Sequence, residues 1–504
     1  MDPFKEFTHG GTLNVAEILF NTRFNYLFPL LAANPECLLP PGATTQGALL
    51  SLGAAMATDT LAKPLDSTIP AVYTYLGQFI DHNITAQTDR EIGVSRIATP
   101  DGMIMDITPL PSREVVQKLI NGRRPHLDLD QVYGDGPQLG TNPSPTEADE
   151  LFNLATLELK VVADPPGFDV PRQNDGTAII ADMRNNENLN ISQLHCAFLL
   201  FHNKVAAGLP AALTKDQRYI RARQLVRWAY QYIVLNDYLP NVCDPVIVSD
   251  IAANGLRYYA PDDDLLFMPL EFSVAAFRFG HSMIRPQYQL NAATKLTLSQ
   301  ILNVGGLLAG GPPPKVAGAD IIAWHNFAKI GGHPAPQMAR KIDPLISQDL
   351  GNLPLHLPGS STIPAGALLQ HLARRNLLRG FLLSIPTGQA VADGMQAKPL
   401  TPAELQGPPG TAIYNAVVAG RFDTATPLWY YILREADLQQ NGNRLGSVGS
   451  RIVTETLSAL VLRDRASYIN NLQDTAVKPN GIDVGGGTII ATIADLLQFS
   501  GAPL

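Results

Sequence analysis

Apolar residues recur at intervals of three and four along much of the chain, which is the periodicity of amphipathic α-helices. Strand patterns are few and short, and the clearest covers residues 157–162. Segments rich in proline and glycine separate the helices, and the most obvious spans residues 305–318. The pattern predicts a mainly α fold with long irregular Pro/Gly-rich loops and little β. The predicted helices cover residues 71–88, 191–209, 215–238, 271–284, 365–383 and 451–462.

No feature divides the chain into independent units. It contains no repeat of about 20–50 residues, no heptad array and no composition change typical of a linker. We therefore expect one large domain over residues 70–504, with residues 1–69 as an N-terminal arm packed on it.

Composition limits the class of protein. Of the 504 residues, 45 % are hydrophobic and only 16 % are charged, so intrinsic disorder is not expected. The formal net charge is −8 and there is no basic run, which argues against nucleic acid as the main partner. Three cysteines, Cys37, Cys196 and Cys243, allow at most one disulfide. They favour a reduced compartment, although one bridge stays open.

The sequence predicts neither a signal peptide nor a transmembrane segment. Residues 1–12 lack an apolar core. The most apolar early stretch, residues 24–33, is about half as long as a membrane span, and an interfacial anchor is the alternative for it. The location stays open between the cytoplasm and secretion without a leader.

Polar residues interrupt the predicted helices at four places. In the first, they recur at offsets of three and four, so a helix places them on one face. A carboxylate, an amide and an imidazole inside an apolar sequence must find partners or perform chemistry. These residues are Gln78, Asp81, His82 and Thr85.

The other three places combine arginines with amides, a carboxylate or a histidine. Arg184, Glu187 and Asn188 come before the second predicted helix, at positions i, i+3 and i+4. Arg278 and His281 share a face of another helix, and Gly280 beside the imidazole leaves room for a flat or bulky group. In the fourth place, Asn376 and Arg379 lie on one helix face.

Each pattern taken alone also fits a satisfied polar patch, an ion pair at a helix entrance or a solvated basic face. Together they suggest a cofactor, because His82 and His281 lie in separate apolar helices. Heme needs an axial base, usually histidine, and cations for its propionates. A peroxidase also needs a second histidine that does not bind iron, and an arginine beside it. The sequence contains all of these residue types.

Four segments, in order, resemble the signatures of the animal-type heme peroxidases (the peroxidase–cyclooxygenase superfamily). The resemblance runs from about residue 70 to about residue 480, and two C-terminal segments resemble those of bacterial members. It implies a single helical heme-peroxidase catalytic domain. The four segments are residues 77–82 (GQFIDH), 184–187 (RNNE), 277–281 (FRFGH) and 375–379 (RNLLR), and the C-terminal ones are 426–431 (TPLWYY) and 445–453 (LGSVGSRIV).

The resemblance implies an enzyme that reduces hydrogen peroxide and oxidises a halide, thiocyanate or small organic donor, such as a phenol, through a ferryl intermediate. His82 would be the distal acid–base group and Arg184 would stabilise the charge that develops as the O–O bond breaks. Gln78 would hold distal water or a halide. No nucleic acid partner is implied.

The cofactor implied is heme b. His281 would bind its iron as the proximal ligand, Asn376 would accept the other ring N–H, and Arg278 and Arg379 would pair with the propionates. A neutral amide gives the ligand less imidazolate character than a carboxylate, so the iron should be easier to reduce.

Two carboxylates match those that form ester links to heme in many relatives, and they are Asp81 and Glu187. Covalent heme is therefore a hypothesis for this chain. Asn188 stands where some mammalian relatives have a methionine that makes a sulfonium link. We therefore expect a less oxidising site, suited to iodide, bromide, thiocyanate or phenols rather than chloride.

Residues 127–134 (LDLDQVYG) resemble the family's calcium loop but depart from its pattern. The family has an acid where this chain has Asn83, and a threonine where it has Arg124. We expect the Arg124 guanidinium to take the place of the ion and pair with Asp128, so calcium is doubtful. The alternative is a weakened calcium site made by Asn83, Asp128 and Asp130, with His126 in the same loop.

Two alternatives remain for the function. A heme-dependent fatty-acid dioxygenase would need a tyrosine three residues before the proximal histidine, where this chain has Arg278 between Phe277 and Phe279. A heme-binding helical protein without turnover would be expected to have lost His82 or Arg184, and both are present.

Overall fold

A computed structural model of the chain describes two short strands near the N-terminus and most residues beyond residue 21. The described residues are 6–7, 12–13, 22–58, 65–89, 97, 105–140, 147–174, 176–259, 266–305, 316, 318–353 and 368–504. The mainly α fold is confirmed. The α-helices of this part are α1 (Pro29–Ala32), α2 (Ala43–Met56), α3 (Val72–Ile84), α4 (Ser112–Lys118), α5 (Asp130–Tyr133), α6 (Leu189–Gly208), α7 (Lys215–Ile233), α8 (Leu239–Val242), α9 (Pro245–Asn254), α10 (Leu298–Gly305), α11 (Leu372–Leu382), α12 (Gly388–Gly394), α13 (Pro402–Gln406), α14 (Ala412–Gly420), α15 (Leu428–Gln440), α16 (Ser447–Leu462) and α17 (Ile493–Ser500).

The strands are short and form small sheets. The largest described sheet has the order β11–β3–β6–β5, in which β11 and β3 are parallel and the other pairs antiparallel. The strands are β1 (Glu6–Phe7), β2 (Thr12–Leu13), β3 (Thr22–Asn25), β4 (Asp66–Pro70), β5 (Gln87–Asp89), β6 (Leu119–Asn121), β7 (Phe152–Asn153), β8 (Glu158–Leu159), β9 (Val162–Asp164), β10 (Gly167–Asp169), β11 (Met268–Pro269), β12 (Gln287–Gln289), β13 (Lys295–Thr297), β14 (Met338–Arg340), β15 (Val477–Lys478), β16 (Gly481–Asp483) and β17 (Ile489–Ile490).

Helix α6 lies at the centre of the core. It begins where the Asn188 side chain accepts the N–H of Ile191. Its first eleven residues are all buried, as expected for a helix that is covered on every side. It packs against α3, α7, α10 and α17, so it fixes the position of α3, which carries much of the candidate site.

The described part of the N-terminal segment packs on the rest of the chain. Helix α2 lies against α11 and α14. The approach to α11 is close, because a Cβ at Gly53 would lie 2.8 Å from Cγ of Arg374. The proposed boundary between residues 69 and 70 stays a prediction.

The segment predicted as a helix over residues 271–284 is not a continuous α-helix. A π-helix (Glu271–Ala275) is followed by a 3₁₀-helix (Ala276–His281). Buried Glu271 accepts the backbone N–H groups of Leu27 and Phe28, and this tertiary contact holds the first turn against the N-terminal segment. Such irregular turns are frequent at functional sites.

Other predicted elements differ at their ends. The predicted strand over residues 157–162 is divided between β8 and β9, which belong to separate hairpins. Residues 1–5, 306–315 and 354–367 lie outside the described residues, and with them parts of the predictions for the N-terminus, the longest loop and the helix over 365–383. Among the residues that the structure describes, no helix is both long and apolar enough to cross a membrane.

Candidate functional site

A cavity of about 870 Å³ lies between α3, α10 and the 3₁₀-helix that ends at His281. Gln78, Asp81 and Glu187 line it together with Arg278 and His281. Apolar residues of α10 form another part of the wall. The mixture of an apolar wall and a few polar groups is typical of a cofactor pocket.

His82 lies directly behind this lining. Its side chain is fully buried, and its Nε2 is 3.6 Å from Oε1 of Glu187. Its Nδ1 is 2.8 Å from Oδ1 of Asn185. Because a carbonyl oxygen only accepts, this contact places the ring proton on Nδ1 and leaves the Nε2 lone pair on the side of Glu187.

Asn185 joins His82 to a second buried imidazole. Its Nδ2 donates to Nδ1 of His195 at 3.0 Å, with the same amide orientation that presents Oδ1 to His82. Burial lowers the pKa of His195 to about 4, so this ring is neutral and can accept. The sequence analysis missed both residues, because an amide contact between α6 and the preceding turn has no signature in residue spacing.

Arg184 binds the C-terminal end of α3 through two hydrogen bonds. Its Nη1 donates to the Thr85 carbonyl at 2.6 Å and its Nη2 to the His82 carbonyl at 2.8 Å. The side chain of Asp182 accepts from Nε and Nη2 of Arg184. Burial alone would raise the pKa of Asp182, but the Arg123 and Arg184 guanidinium groups outweigh it and hold this pKa well below its usual value.

A chain of amides and one carboxylate links Asn188 to Glu187. Asn188 donates to Oε1 of Gln78 at 3.3 Å while it caps α6. Gln78 in turn donates to Oε1 of Glu187. The polar side chains of the first two sequence patterns therefore meet at the cavity.

On another wall, the amide of Asn376 contacts His281. Nδ2 of Asn376 is 2.8 Å from Nδ1 of His281, and a half-turn of the amide would present its oxygen to the same nitrogen. Burial, reinforced by Arg278 and Arg375, holds the pKa of His281 well below its usual value. The ring is therefore neutral, which is the form that binds a metal.

Arg278, Arg375 and Arg379 lie close together on this side of the cavity. Arg278 pairs with Asp81 at 3.1 Å. Burial and then the charges of Arg379 and Arg278 lower the pKa of Arg375 to about 9, although Glu187 opposes the shift. Positive charge is therefore in excess here. The sequence analysis did not single out Arg375.

Arg285 does not join this group, although a continuous helix over residues 271–284 extended by one residue would put it on the same face as Arg278 and His281. It pairs with Asp66 of β4 at 2.8 Å. The 3₁₀-helix ends at His281, so the helical face that would have aligned Arg285 with Arg278 does not continue that far.

The loop that resembles a calcium site holds a different cation from the one expected. Arg124 is 3.9 Å from Asp128, but its side chain is 49 % exposed. The buried guanidinium is that of Arg123, which is 1 % exposed and lies 3.5 Å from Oδ2 of Asp130. Two adjacent arginines are chemically alike in the sequence, and only the path of the backbone decides which one points inward.

The acids and the histidine of this loop are held by burial and hydrogen bonds. Asn83 Nδ2 donates to Asp130 at 3.0 Å and to Asp128 at 3.3 Å. Burial raises the pKa of Asp130 to about 7, although the Arg123 charge and the Asn83 hydrogen bond oppose the rise. Burial also lowers the pKa of His126. In the described part of the chain, no group of three or more His, Cys, Asp or Glu side chains is arranged to hold a metal ion.

Comparison with known proteins agrees with this geometry. Residues 59–305 match the family model for the animal haem peroxidases. This range contains His281, which lines the cavity, His82, which contacts the lining residue Glu187, and Arg184, which donates to the His82 carbonyl. The chain belongs to the animal heme peroxidase superfamily. Asn376 and Arg379 of this superfamily member lie beyond the matched range, and its assignment to the bacterial type stays a prediction.

Curated relatives resemble this peroxidase-family chain over a limited length. Human thyroid peroxidase (Homo sapiens) is 30 % identical over 187 residues, which are 33 % of this chain and 20 % of that protein. A peroxidase-like protein of Margaritifera margaritifera is 31 % identical over 182 residues, which are 33 % of this chain and 22 % of that protein. The chain therefore spans about a fifth of the length of the curated relatives that it matches.

Solved structures resemble this superfamily member over almost its whole length. Peroxidase A from Dictyostelium discoideum has a TM-score of 0.60 at 18 % identity, covering 96 % of this chain and 98 % of that one. A fatty acid alpha-dioxygenase from Arabidopsis thaliana has a TM-score of 0.56 at 15 % identity, covering 92 % and 75 %. At these identities the likeness establishes the fold alone.

Proposed function

We propose that this chain is a heme peroxidase that reduces hydrogen peroxide and oxidises a halide, thiocyanate or small organic donor. One observation carries the proposal. A buried histidine with its proton fixed on Nδ1, held beside an arginine, lies next to the cavity that a second, neutral histidine lines. In this proposal the two histidines and the arginine would supply a proton acceptor, a metal ligand and a charge stabiliser.

The residues present fit heme. The neutral imidazole of His281 suits an iron ligand, and the excess positive charge around Arg375 suits two propionate carboxylates. Heme b would be held by His281 at its iron and by Arg278 and Arg379 at its propionates. When bound, heme supplies the redox-active iron to which peroxide coordinates.

The chain's own groups would then move one proton. His82 Nε2 would take the proton from the peroxide oxygen that coordinates, and would return it to the departing oxygen, so that water leaves. Arg184 would stabilise the negative charge that grows on that oxygen. Gln78, held by Asn188 and Glu187, would orient a water molecule or a halide in the cavity.

The proposed donors follow from the same side chains. Asn188 is engaged as a helix cap and in a hydrogen bond to Gln78, and it has no sulfur for a third link to heme. We therefore expect iodide, bromide, thiocyanate or phenols as donors rather than chloride.

An absorption experiment on the heme-loaded protein tests the proposal. One equivalent of hydrogen peroxide should shift the Soret band at once, and iodide or a phenol should restore it. His82→Gln should retain heme and slow the reaction with peroxide by about 10²–10⁴-fold, whereas His281→Gln should weaken heme binding itself. Exposed His333 supplies the matched control, and His333→Gln should behave as the unaltered protein. A Soret band that ignores peroxide would leave a heme-binding protein without turnover.

A fatty-acid dioxygenase is the second candidate, because the apolar wall of Leu298, Ile301 and Leu302 could accept an acyl chain. Against it, Arg278 stands where that chemistry needs a tyrosine, and it pairs with Asp81. Oxygen uptake with a long-chain fatty acid distinguishes the two. Uptake without added peroxide, together with no response to iodide, would favour the dioxygenase.

A further inference from the structure

The buried Arg123 side chain lies between two acids that belong to different parts of the site. Its Nη1 is 3.5 Å from Oδ2 of Asp130, and its Nη2 donates to Oδ2 of Asp182. Asp130 also accepts from Asn83 on α3. One guanidinium thus connects the start of α5 with the turn that carries Arg184.

The contacts continue from Asp182 back to α3. Asp182 accepts from Arg184, and Arg184 donates to the backbone carbonyls of His82 and Thr85. Because Asn83 follows His82 directly, the contacts form a closed ring that begins and ends on adjacent residues of α3. Arg123 is the member of this ring that joins its two halves.

The backbone around Arg123 is fixed as well. Thr22 of β3 donates to the Arg123 carbonyl, and the Asn121 side chain accepts the Arg123 N–H. Asn121 also binds the end of α3, since it donates to the Ile84 carbonyl and accepts the Ala86 N–H. These hydrogen bonds therefore hold in place the backbone that carries the Arg123 guanidinium.

Cations already face the acids of this cluster. Three acidic side chains face three guanidinium groups, so a divalent cation would add two further positive charges in a region where Arg123 and Asp182 are 1 % and 0 % exposed. The carboxylates are those of Asp128, Asp130 and Asp182, and the guanidinium groups those of Arg123, Arg124 and Arg184.

The hydrogen bonds also oppose a calcium ion. Asn83 turns its N–H₂ group, not its oxygen, toward Asp128 and Asp130. Calcium needs six to eight oxygen ligands, and here Oδ1 of each of these acids already accepts from Asn83, while Oδ2 of Asp130 faces the Arg123 guanidinium at 3.5 Å. The residues present do not fit the ion.

We propose that the Arg123 guanidinium is the resident cation of this loop in place of a divalent ion, and that through Asp182 it positions Arg184 and the last turn of α3. The first half of the proposal, the replacement of the ion by Arg123, does not depend on any enzymatic activity. The second half rests on the proposed peroxidase function, because it gives Arg123 a role in shaping the distal side.

The first half is tested by calcium content and thermal unfolding of the heme-loaded full chain. We expect no stoichiometric calcium by elemental analysis, and the same unfolding midpoint with added calcium and with a chelator. Arg123→Gln should lower the midpoint by about 3–5 °C, because it leaves buried acids unpaired. Arg124→Gln, the adjacent and half-exposed arginine, should lower it by less than about 2 °C. One tightly held calcium per chain, or a chelator-sensitive midpoint, would overturn the proposal.

If Arg123→Gln does not fold, a double variant with the opposite change of charge tests the same proposal. Arg123→Leu combined with Asn83→Asp removes the cation and adds an acid, so this double variant should bind calcium in isothermal titration calorimetry and become calcium-dependent in its unfolding. A double variant that folds equally well with a chelator and shows no heat of calcium binding would contradict the replacement.

The second half is read out without turnover by cyanide binding to the ferric heme. Arg123→Gln should slow cyanide association by about tenfold or more, since entry of cyanide requires its proton to move to the distal histidine, and Arg123→Lys should partly restore the rate. Unchanged cyanide kinetics in Arg123→Gln would remove the positioning role. If the protein binds heme and cyanide but never turns over peroxide, the proposed function fails while both halves of this inference can still be judged.

Discussion

At the scale of single residues, Asn185 determines which nitrogen of His82 carries the proton. Its oxygen faces His82 and its nitrogen faces His195, so the two buried rings are held in complementary tautomers. A leucine here would remove the acceptor, and an aspartate would replace a dipole with a negative charge.

Asn185→Asp should shift the pH dependence of the reaction with hydrogen peroxide. The new carboxylate would stabilise protonated His82, which cannot accept a proton. The acid limb of the rate profile should therefore move up by about 1 pH unit or more in stopped-flow measurements. Asn254→Asp, exposed at the end of α9, should leave the profile in place. If both variants give the same profile, Asn185 does not act on His82.

The two cavity carboxylates make a second prediction at this scale. Asp81 and Glu187 both line the cavity, and we expect each to form an ester with heme after exposure to peroxide. Acid and denaturant should then fail to extract heme into organic solvent from the unaltered protein. Asp81→Asn and Glu187→Gln should each release part of the heme, and the double variant all of it. Complete extraction from the unaltered protein would refute the ester links.

At the scale of secondary-structure elements, a buried carboxylate can hold the first turn of a helix against a neighbouring helix. Glu435 of α15 accepts the Val448 and Gly449 N–H groups in the first turn of α16. Burial raises the pKa of Glu435 to about 7, although these hydrogen bonds oppose the rise. This carboxyl group therefore takes up a proton in the folded state at a pH where it would be ionised in the unfolded chain.

The sign of the pH effect follows from linkage. Between the ordinary glutamate value near 4.5 and the folded value of about 7, the folded state holds the extra proton, so stability contributed by Glu435 falls as pH rises through this window. Glu435→Gln should lack this pH-dependent contribution to stability. The unfolding midpoint of the variant minus that of the unaltered protein should therefore increase from pH 5 to pH 8. A constant difference across that range would contradict the assignment.

Elements also show what the sequence could and could not predict. The mainly α fold and the superfamily were predicted correctly, because helical periodicity and short motifs are local. The π-helix and 3₁₀-helix before His281 were missed, because Glu271 is held by backbone groups about 240 positions away. Arg123 was missed for a related reason, since burial of one of two adjacent arginines is a property of the folded chain.

At the scale of the whole molecule, the N-terminal segment supports the side of the cavity that carries His281. Gly53 of α2 packs on Arg374 of α11, and Arg374 Nε donates to the Leu50 carbonyl at 3.1 Å. Two residues further along α11, Asn376 contacts His281. The segment is therefore part of what holds the imidazole in place.

Two glycines of α2 provide a matched pair to test this support. Gly53→Ala should push α11 away, lower the unfolding midpoint and alter the Soret band, because the added Cβ would lie 2.8 Å from Cγ of Arg374. Gly47→Ala meets nothing within 4 Å, so it should stabilise the helix by about 0.5–1 kcal/mol and leave the spectrum unchanged. Equal effects of the two variants would show that α2 does not restrain α11.

The closed ring through Arg123 has a consequence for the conditions in which this protein works. A bound ion leaves its site at a finite rate and must be replaced from the medium, whereas a side chain is attached and its local concentration does not fall on dilution. The distal side of this site would therefore keep its shape in surroundings that hold little free calcium or contain strong chelators. The same attachment removes a means of control, because fluctuations in calcium would carry no signal to this protein.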